Sequence, residues 1–364
     1  MEEKLSELLA SIRPRDEEAY LAARARLDAL CKPPGSLGRL EDIAALLAGV
    51  TGRVLNQVPR RAVVITAADN GVVEEGVASA DPAFTLTQTQ NFLRGVTGVA
   101  VLARRAGADL IVADVGINAP PCRPPILDYK VARGTQNFCR GPAMTRAQAL
   151  EALFAGVELA RLASSRGYDV IGAGEMGIGN TTTSAAVIAA LTGKTPAEVT
   201  GRGAGLSAEA YRRKIAVIER GLALNHPDAD DPVDVVAKVG GFDIAALAGL
   251  YLGAAQARLP IVSDGFISTT AALVAVRLCP AARDFIIPSH RSAEPGFSSL
   301  CEAAGLAPML DMGMCLGEGS GCPLAFFLCD CACDVISGMA TLEEAAVGAQ
   351  YLEAIESFDK TEGV

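Results

Sequence analysis

Short apolar runs alternate with helix-patterned stretches along most of this 364-residue chain. The runs are Ala62–Ala67, Leu110–Val115, Val170–Ala173, Pro260–Asp264, Phe285–Pro288 and Pro308–Met312, each read as a strand. Between and after them lie Thr89–Ala106, Thr145–Arg166, Thr181–Leu191, Asp243–Ala257, Thr269–Leu278 and Leu324–Ser337, each read as a helix. A strand that is apolar at successive positions is buried on both faces, and parallel strands need crossover helices that supply that cover. The pattern predicts an α/β fold: a doubly wound, mostly parallel sheet of about six strands. Half of the residues are hydrophobic, enough for a sizeable core. Residues 1–50 read as helices separated by a loop over Cys31–Gly38, and Thr341–Ser357 reads as another helix, so 1–60 with 338–364 are expected to form a smaller helical lobe beside an α/β domain over 61–337.

Charge narrows the function classes. The formal net charge is −10 and no basic run occurs, which argues against nucleic acid or an anionic membrane as partner. The first residues, Met1-Glu-Glu-Lys-Leu-Ser-Glu-Leu-Leu9, are too charged for a secretory signal, and the apolar stretch Ile244–Ala255 is too short to span a bilayer. A cytoplasmic protein is expected.

In open parallel sheets, ligands bind beyond the carboxyl ends of the strands. Polar and glycine residues gather there: Asp69-Asn-Gly71, Asp114-Val-Gly116, Gly174-Glu-Met-Gly177, Asp264-Gly-Phe266, Ser289-His-Arg-Ser292 and, after the sixth run, Glu318. Glu318 sits in Leu310-Asp-Met-Gly-Met-Cys-Leu-Gly-Glu-Gly-Ser-Gly321. Flanking glycines let backbone approach a ligand closely, and burial can raise a carboxylate toward neutrality and make it a general base. The same acid could instead cap the helix that follows it. The segment Val170-Ile-Gly-Ala-Gly-Glu-Met-Gly-Ile-Gly-Asn-Thr-Thr-Thr-Ser184 runs from strand into helix. A helix start gathers free N–H donors and the positive end of the dipole, so Gly177, Ile178, Gly179, Asn180, Thr181 and Thr182 form either a phosphate cradle or an ordinary turn. The segment lacks the Gly-Lys-Ser/Thr of a nucleotide-triphosphate loop, and the first turn, Asp69-Asn-Gly-Val-Val73, lacks a dinucleotide fingerprint. Glu175 would repel an anion, so it is expected to face a sugar or a cationic ring. Cys322, Cys329, Cys331 and Cys333 lack the paired spacing of a zinc site and read as small thiols on a packed helix; no metal site is expected.

Read together, these loops resemble the nicotinate-nucleotide:dimethylbenzimidazole phosphoribosyltransferase family. The matching segments include Lys32-Pro-Pro-Gly-Ser-Leu-Gly-Arg-Leu-Glu41, Gly134-Thr-Gln-Asn137, Pro142-Ala-Met-Thr145, Gly174 to Thr182, Gly201-Arg-Gly-Ala-Gly205, Gly240-Gly-Phe-Asp-Ile244, Ser263-Asp-Gly-Phe-Ile267, Ser289 to Gly296, Leu316-Gly-Glu-Gly-Ser-Gly321 and Met339-Ala-Thr341. They span residues 32 to 341 in the family's order. The resemblance implies a dimeric α/β enzyme that moves a phosphoribosyl group from nicotinate mononucleotide to an aromatic base, giving an α-ribotide and nicotinate on the route to the lower ligand of cobamides. It implies Glu318 as catalytic base and a nucleotide site formed by Glu175, Gly177–Thr181, Gly203, Lys214, Asp264 and Ser292. It implies an acceptor pocket at Asn70, Ala80, Gln88, Met314 and Leu316. Nicotinate mononucleotide is a substrate with a cationic leaving group, so no cofactor is expected.

The chain departs from the family pattern near that pocket. Asp69-Asn70-Gly71 stands where Asp-His-Gly is usual, Ala80 where an aromatic is usual and Gln88 where methionine is usual. Phe297 replaces a common histidine, and Ala204 a threonine. Two acceptors therefore stay open: a benzimidazole, or a phenol or p-cresol handled by a heterodimer of related chains, with Gln88 or Asn70 orienting the hydroxyl. A non-catalytic partner subunit would have lost its base, and Glu318 is present.

Overall fold

The computed structural model describes residues 1–203, 205–348, 350 and 351. Six parallel strands form one sheet: β1 (Arg61–Ala68), β2 (Ala108–Gly116), β3 (Leu127–Asp128), β4 (Val170–Met176), β5 (Ile261–Ser263) and β6 (Ile286–Pro288). Their order is β3-β2-β1-β4-β5-β6, with Thr66 of β1 in register with Glu175 of β4. Chain order runs one way from β1 and the other way from β4. The crevice between these two strands is thus the switch point at which such sheets bind ligands.

Unbroken apolar strands find cover on both faces. The helix Phe242–Gln256, buried along nearly its whole length, crosses the helix Arg146–Ser165 with backbones almost touching. A methyl group on Gly156 would lie 1.7 Å from Ala246 O, and one on Gly249 would lie 1.7 Å from Leu153 O. On β4, Gly172 and Gly174 share a face. A Cβ on the first would meet the Cys322 side chain at 2.5 Å, and a Cβ on the second would meet Glu318 O at 2.5 Å. The residues before and at the start of the helix Cys322–Gly338 therefore lie directly on the sheet.

Five of the six predicted strands are present, within a few residues of the expected ends. Pro308–Met312 is not a strand: Leu310 makes one isolated bridge to His290, and both Met309 and Leu310 donate to Ser289 O. The sixth strand is β3, a two-residue edge piece with little apolar signal. The helix expected over Thr89–Ala106 is two helices, Phe84–Arg94 and Gly98–Arg105, because Gly95 ends the first in the left-handed region and Thr97 caps the second. Helices Ala208–Asn225, Pro232–Val239 and Phe297–Ala304 were not expected. Of the helix expected over Thr341–Ser357, residues 342–346 are turns, and residues from 352 lie outside the described ones, as does Ala204.

The chain divides into two compact units. The larger holds Met1–Pro14 and Pro59–Phe326; the smaller holds Arg15–Val58 with the residues from Phe327 onward. The expected lobe over 1–60 thus loses its first helix, Glu2–Ser11, to the larger unit. There Arg146 pairs with Glu2 at 2.6 Å, and Gln256 Nε2 donates to Ser11 Oγ at 2.8 Å. Within the smaller unit, helices Glu17–Ala29 and Arg39–Thr51 pack together, and Lys32 and Glu41 form a buried ion pair at 2.8 Å. No helix among the described residues is long and apolar enough to cross a membrane.

Candidate active site

Past the carboxyl ends of β1, β4, β5 and β6 lies a cavity of about 300 Å³, built wholly from the larger unit. Three pieces of backbone shape it: the β4-to-helix turn, the loop that carries Glu318, and the helix Phe84–Arg94.

The Glu318 loop has an unusual backbone. Gly317, Glu318 and Gly319 all take left-handed φ, at +79°, +63° and +86°. Side chains other than glycine seldom adopt that region, and a carboxylate held there signals a conformation fixed by its surroundings. Asp264, just past β5, supplies the fixing: its carboxylate accepts Gly319 N at 3.0 Å and Gly321 N at 2.6 Å. Glu318 N in turn donates to Glu175 Oε1 at 3.2 Å. The side chain is only 6% exposed. It does not cap the helix that follows it. Instead Oε1 accepts Gln88 Nε2 at 2.6 Å and Oε2 accepts Val99 N at 3.2 Å. Val99 is in the first turn of Gly98–Arg105, so the carboxylate also faces a positive helix end.

The turn after β4 faces the same cavity. Gly179 is left-handed and precedes the helix Asn180–Thr192. Ile178 N donates to Thr85 Oγ1 at 3.1 Å, and Asn180 N and Thr182 N donate to Gly177 O and Gly179 O. The N–H groups of Gly179 and Thr181 make no hydrogen bond among the described residues. Two free donors at a helix start are what an anion requires. Behind them the Lys214 ammonium, fully buried, donates to Thr181 Oγ1 at 2.9 Å and Gly201 O at 3.2 Å. Burial lowers its pKa to about 8.

Three buried acids cluster here, Glu175 and Asp264 in the cavity wall and Asp243 outside it. Glu175 is raised to about 8 by burial first and then by Asp243 and Asp264. Burial also raises Asp264 to about 7 and Asp243 to about 6, against backbone donors that pull each of them down. Asn180 Nδ2 donates to Glu175 Oε2 in a short contact. His290, buried beside Asp264, is lowered by burial, and its Nδ1 lies 3.1 Å from Ser289 Oγ.

Most of the residues singled out in the sequence meet here. Ala80, Gln88, Glu175, Gly177, Ile178, Gly179, Asn180, Thr181, Gly203, Asp264, Ser292, Leu316 and Glu318 line the cavity. Three others stand apart from its wall. Lys214 lies behind Thr181. Met314 is not a lining residue, and its O accepts Ala293 N. Asn70 is buried behind the glycine turn: a Cβ on Gly177 would lie 3.1 Å from its amide nitrogen, and one on Gly241 2.4 Å from its amide oxygen. Sequence reasoning missed Phe84, Arg202 and Glu294 in the wall, Thr85 against the turn and Asp243 beneath it. Asp243 had a signal, as the lone acid opening an apolar helix. The Cys322, Cys329 and Cys333 side chains are buried, all ten cysteines are free thiols, and no group of three or more His, Cys, Asp or Glu could hold a metal ion among the described residues.

Comparison with known proteins bears on this arrangement. A family model described as "Phosphoribosyltransferase" matches residues 12–347. A nicotinate-nucleotide–dimethylbenzimidazole phosphoribosyltransferase of Clostridium perfringens is 47% identical over 352 residues, covering 97% of this chain and 98% of the relative. The protein of that name from Acetivibrio thermocellus is 49% identical over 343 residues, covering 94% and 98%. The crystal structure of CobT from Thermus thermophilus superposes with a TM-score of 0.87 at 45% identity, covering 91% of this chain and 99% of that one. With a matched cavity-bearing sheet and near-complete coverage at such identity, the chain belongs to the nicotinate-nucleotide–dimethylbenzimidazole phosphoribosyltransferase family.

Proposed function

We propose that the chain transfers the phosphoribosyl group of nicotinate mononucleotide to dimethylbenzimidazole, releasing nicotinate, as a step of cobamide biosynthesis. The observation that carries this reading is one cavity with a fixed, buried carboxylate on one wall and a donor-bearing helix start on another. The free N–H groups of Gly179 and Thr181 take the 5′-phosphate, and Lys214, Gly203 and Ser292 complete its surroundings. Glu175, protonated at neutral pH, lies below and meets the sugar or ring without adding a negative charge.

Chemistry then follows from the leaving group. The bond between C1′ and the pyridinium nitrogen breaks, and its electron pair returns to the ring, which leaves as neutral pyridine nitrogen. A benzimidazole nitrogen forms the new bond from the opposite face, so the β-nucleotide gives an α-ribotide. The acceptor N–H passes its proton to Glu318. A positioned base of this kind contributes about 10²–10⁴-fold in rate. Holding donor and acceptor together contributes further, by removing the entropy cost of their encounter. Ala80, Gln88 and Leu316 border the acceptor.

The names of the relatives carry dimethylbenzimidazole as acceptor. No observation favours a phenolic acceptor or a non-catalytic subunit. A dimer of like chains is part of the proposal, supported by the exposed Leu93, Val96 and Val101 on the paired helices Phe84–Arg94 and Gly98–Arg105 and the link between them. A cytoplasmic setting is supported by ten free thiols. The test is competition: purified chain, nicotinate mononucleotide and equal amounts of dimethylbenzimidazole, adenine, phenol and p-cresol, with ribotides identified by mass. Preferential benzimidazole ribotide supports the reading; phenolic ribotide as the main product would contradict it.

A further inference from the structure

The helix Phe84–Arg94 carries more than the Gln88 side chain to the base. Gln88, Asn91 and Arg94 recur at three-residue spacing and so share one helix face. Arg94 Nη1 donates to Asn91 Oδ1 at 3.0 Å, Asn91 Nδ2 donates to Gln88 Oε1 at 3.3 Å, and Gln88 Nε2 donates to Glu318 Oε1 at 2.6 Å. Each bond points the same way, from an exposed guanidinium to a buried carboxylate.

The direction is not arbitrary. A guanidinium has only donors, so Asn91 must turn its oxygen to Arg94 and its NH2 to Gln88. Gln88 must then turn its oxygen to Asn91 and its NH2 to Glu318. A terminal amide alone can rotate either way, and the wrong way would set a carbonyl against the carboxylate. We infer that Asn91 is a positioning residue for the transfer reaction: anchored by Arg94, it locks the Gln88 amide with its NH2 on Glu318, fixing the base's orientation. This rests on the reading of Glu318 as the base. Asn91 is only partly buried and does not line the cavity, so it acts through Gln88.

Asn91→Asp should invert the chain. A carboxylate at this position accepts from Arg94 and also demands a donor, so Gln88 swings its NH2 away from Glu318. The other groups facing Glu318 stay in place: Glu175 on β4, Asp264 after β5 and Val99 N. With that donor lost, only the bond from Val99 N is left to hold the carboxylate's orientation. Steady-state kinetics are to be compared for the wild type, Asn91→Asp, Asn91→Leu, Gln88→Leu and the Asn91→Asp/Gln88→Leu pair, with dimethylbenzimidazole as acceptor and melting temperatures as a check on folding. Asn91→Asp is expected to lower kcat roughly tenfold or more, since hydrogen bonds to charged groups are the strong ones. It should leave KM for nicotinate mononucleotide within about twofold. Asn91→Leu, which frees the amide without inverting it, should lose less. In the Gln88→Leu background Asn91→Asp should have no further effect. Wild-type kcat in Asn91→Asp, or a loss that persists undiminished without Gln88, would overturn the inference. Glu318→Gln runs in the same series, so an error about the base shows separately, as unchanged turnover in that variant alone.

Discussion

Glu318 shows how far a single residue can be read. Its glycine neighbours made it a candidate in the sequence, because a loop of that composition brings backbone and acid close to a ligand. What the sequence left open was whether the acid caps a helix or serves a site, and the hydrogen bonds from Gln88 and Val99 decide for the site's wall. Asn70 went the other way. It stands in a strand-end motif, but its amide fills the space behind Gly177 and Gly241. Nothing local in a sequence tells a wall residue from the one behind it. Gly177 carries the same lesson, since any side chain there meets Ala68 O at 2.4 Å and Asp243 Oδ2 at 2.8 Å before it could reach a ligand. Its replacement by valine is therefore expected to lower the melting temperature as well as nucleotide affinity; an unchanged melting curve would show that the turn has more room than the packing allows. Lys214→Met removes the bond to Thr181 Oγ1. Its KM for nicotinate mononucleotide should rise about tenfold or more, the usual worth of a charge-assisted bond, and an unchanged KM would remove Lys214 from the phosphate's surroundings.

At the scale of elements, the fold was legible where the physics is local. A buried parallel strand must be apolar at successive positions, so β1, β2 and β4 stood out. The two-residue β3 has no such run, because an edge strand of that length buries little. Pro308–Met312 has the apolar run but not the ladder; proline brings no N–H, and the segment is tied to Ser289 and Arg291 by three backbone bonds around a single bridge. The strand ends also gather the buried acids, a feature no local pattern reveals because it depends on which ends meet. Glu175, Asp264 and Asp243 are raised to about 8, 7 and 6, chiefly by burial. Folding favours their protonated forms, so their share of stability is whole below the ordinary carboxylate range and is lost as pH rises through those values. The melting temperature of the ligand-free protein is expected to fall between about pH 5 and pH 8.5. Glu175→Gln, which cannot ionise, should flatten the upper part of that fall, and an identical slope in the variant would contradict the protonated state assigned to Glu175.

For the whole molecule, the candidate site belongs to the larger of the two units. The cavity draws every wall residue from the larger unit, yet those residues come from distant stretches: Gln88, Glu175, Asp264, Ser292 and Glu318 are joined only by the sheet's switch point. The family resemblance brought them together in sequence because its motifs follow the same strand ends. The measurement that tests the account most directly is product formation by the chain expressed alone. Wild type and Glu318→Gln are given nicotinate mononucleotide and dimethylbenzimidazole, with the α-ribotide quantified by mass and nucleotide affinity followed by calorimetry. The wild type should form the ribotide, while Glu318→Gln should bind the nucleotide as tightly and turn over at least about 100-fold more slowly. Equal turnover in the two proteins would contradict the assignment of Glu318 as the base.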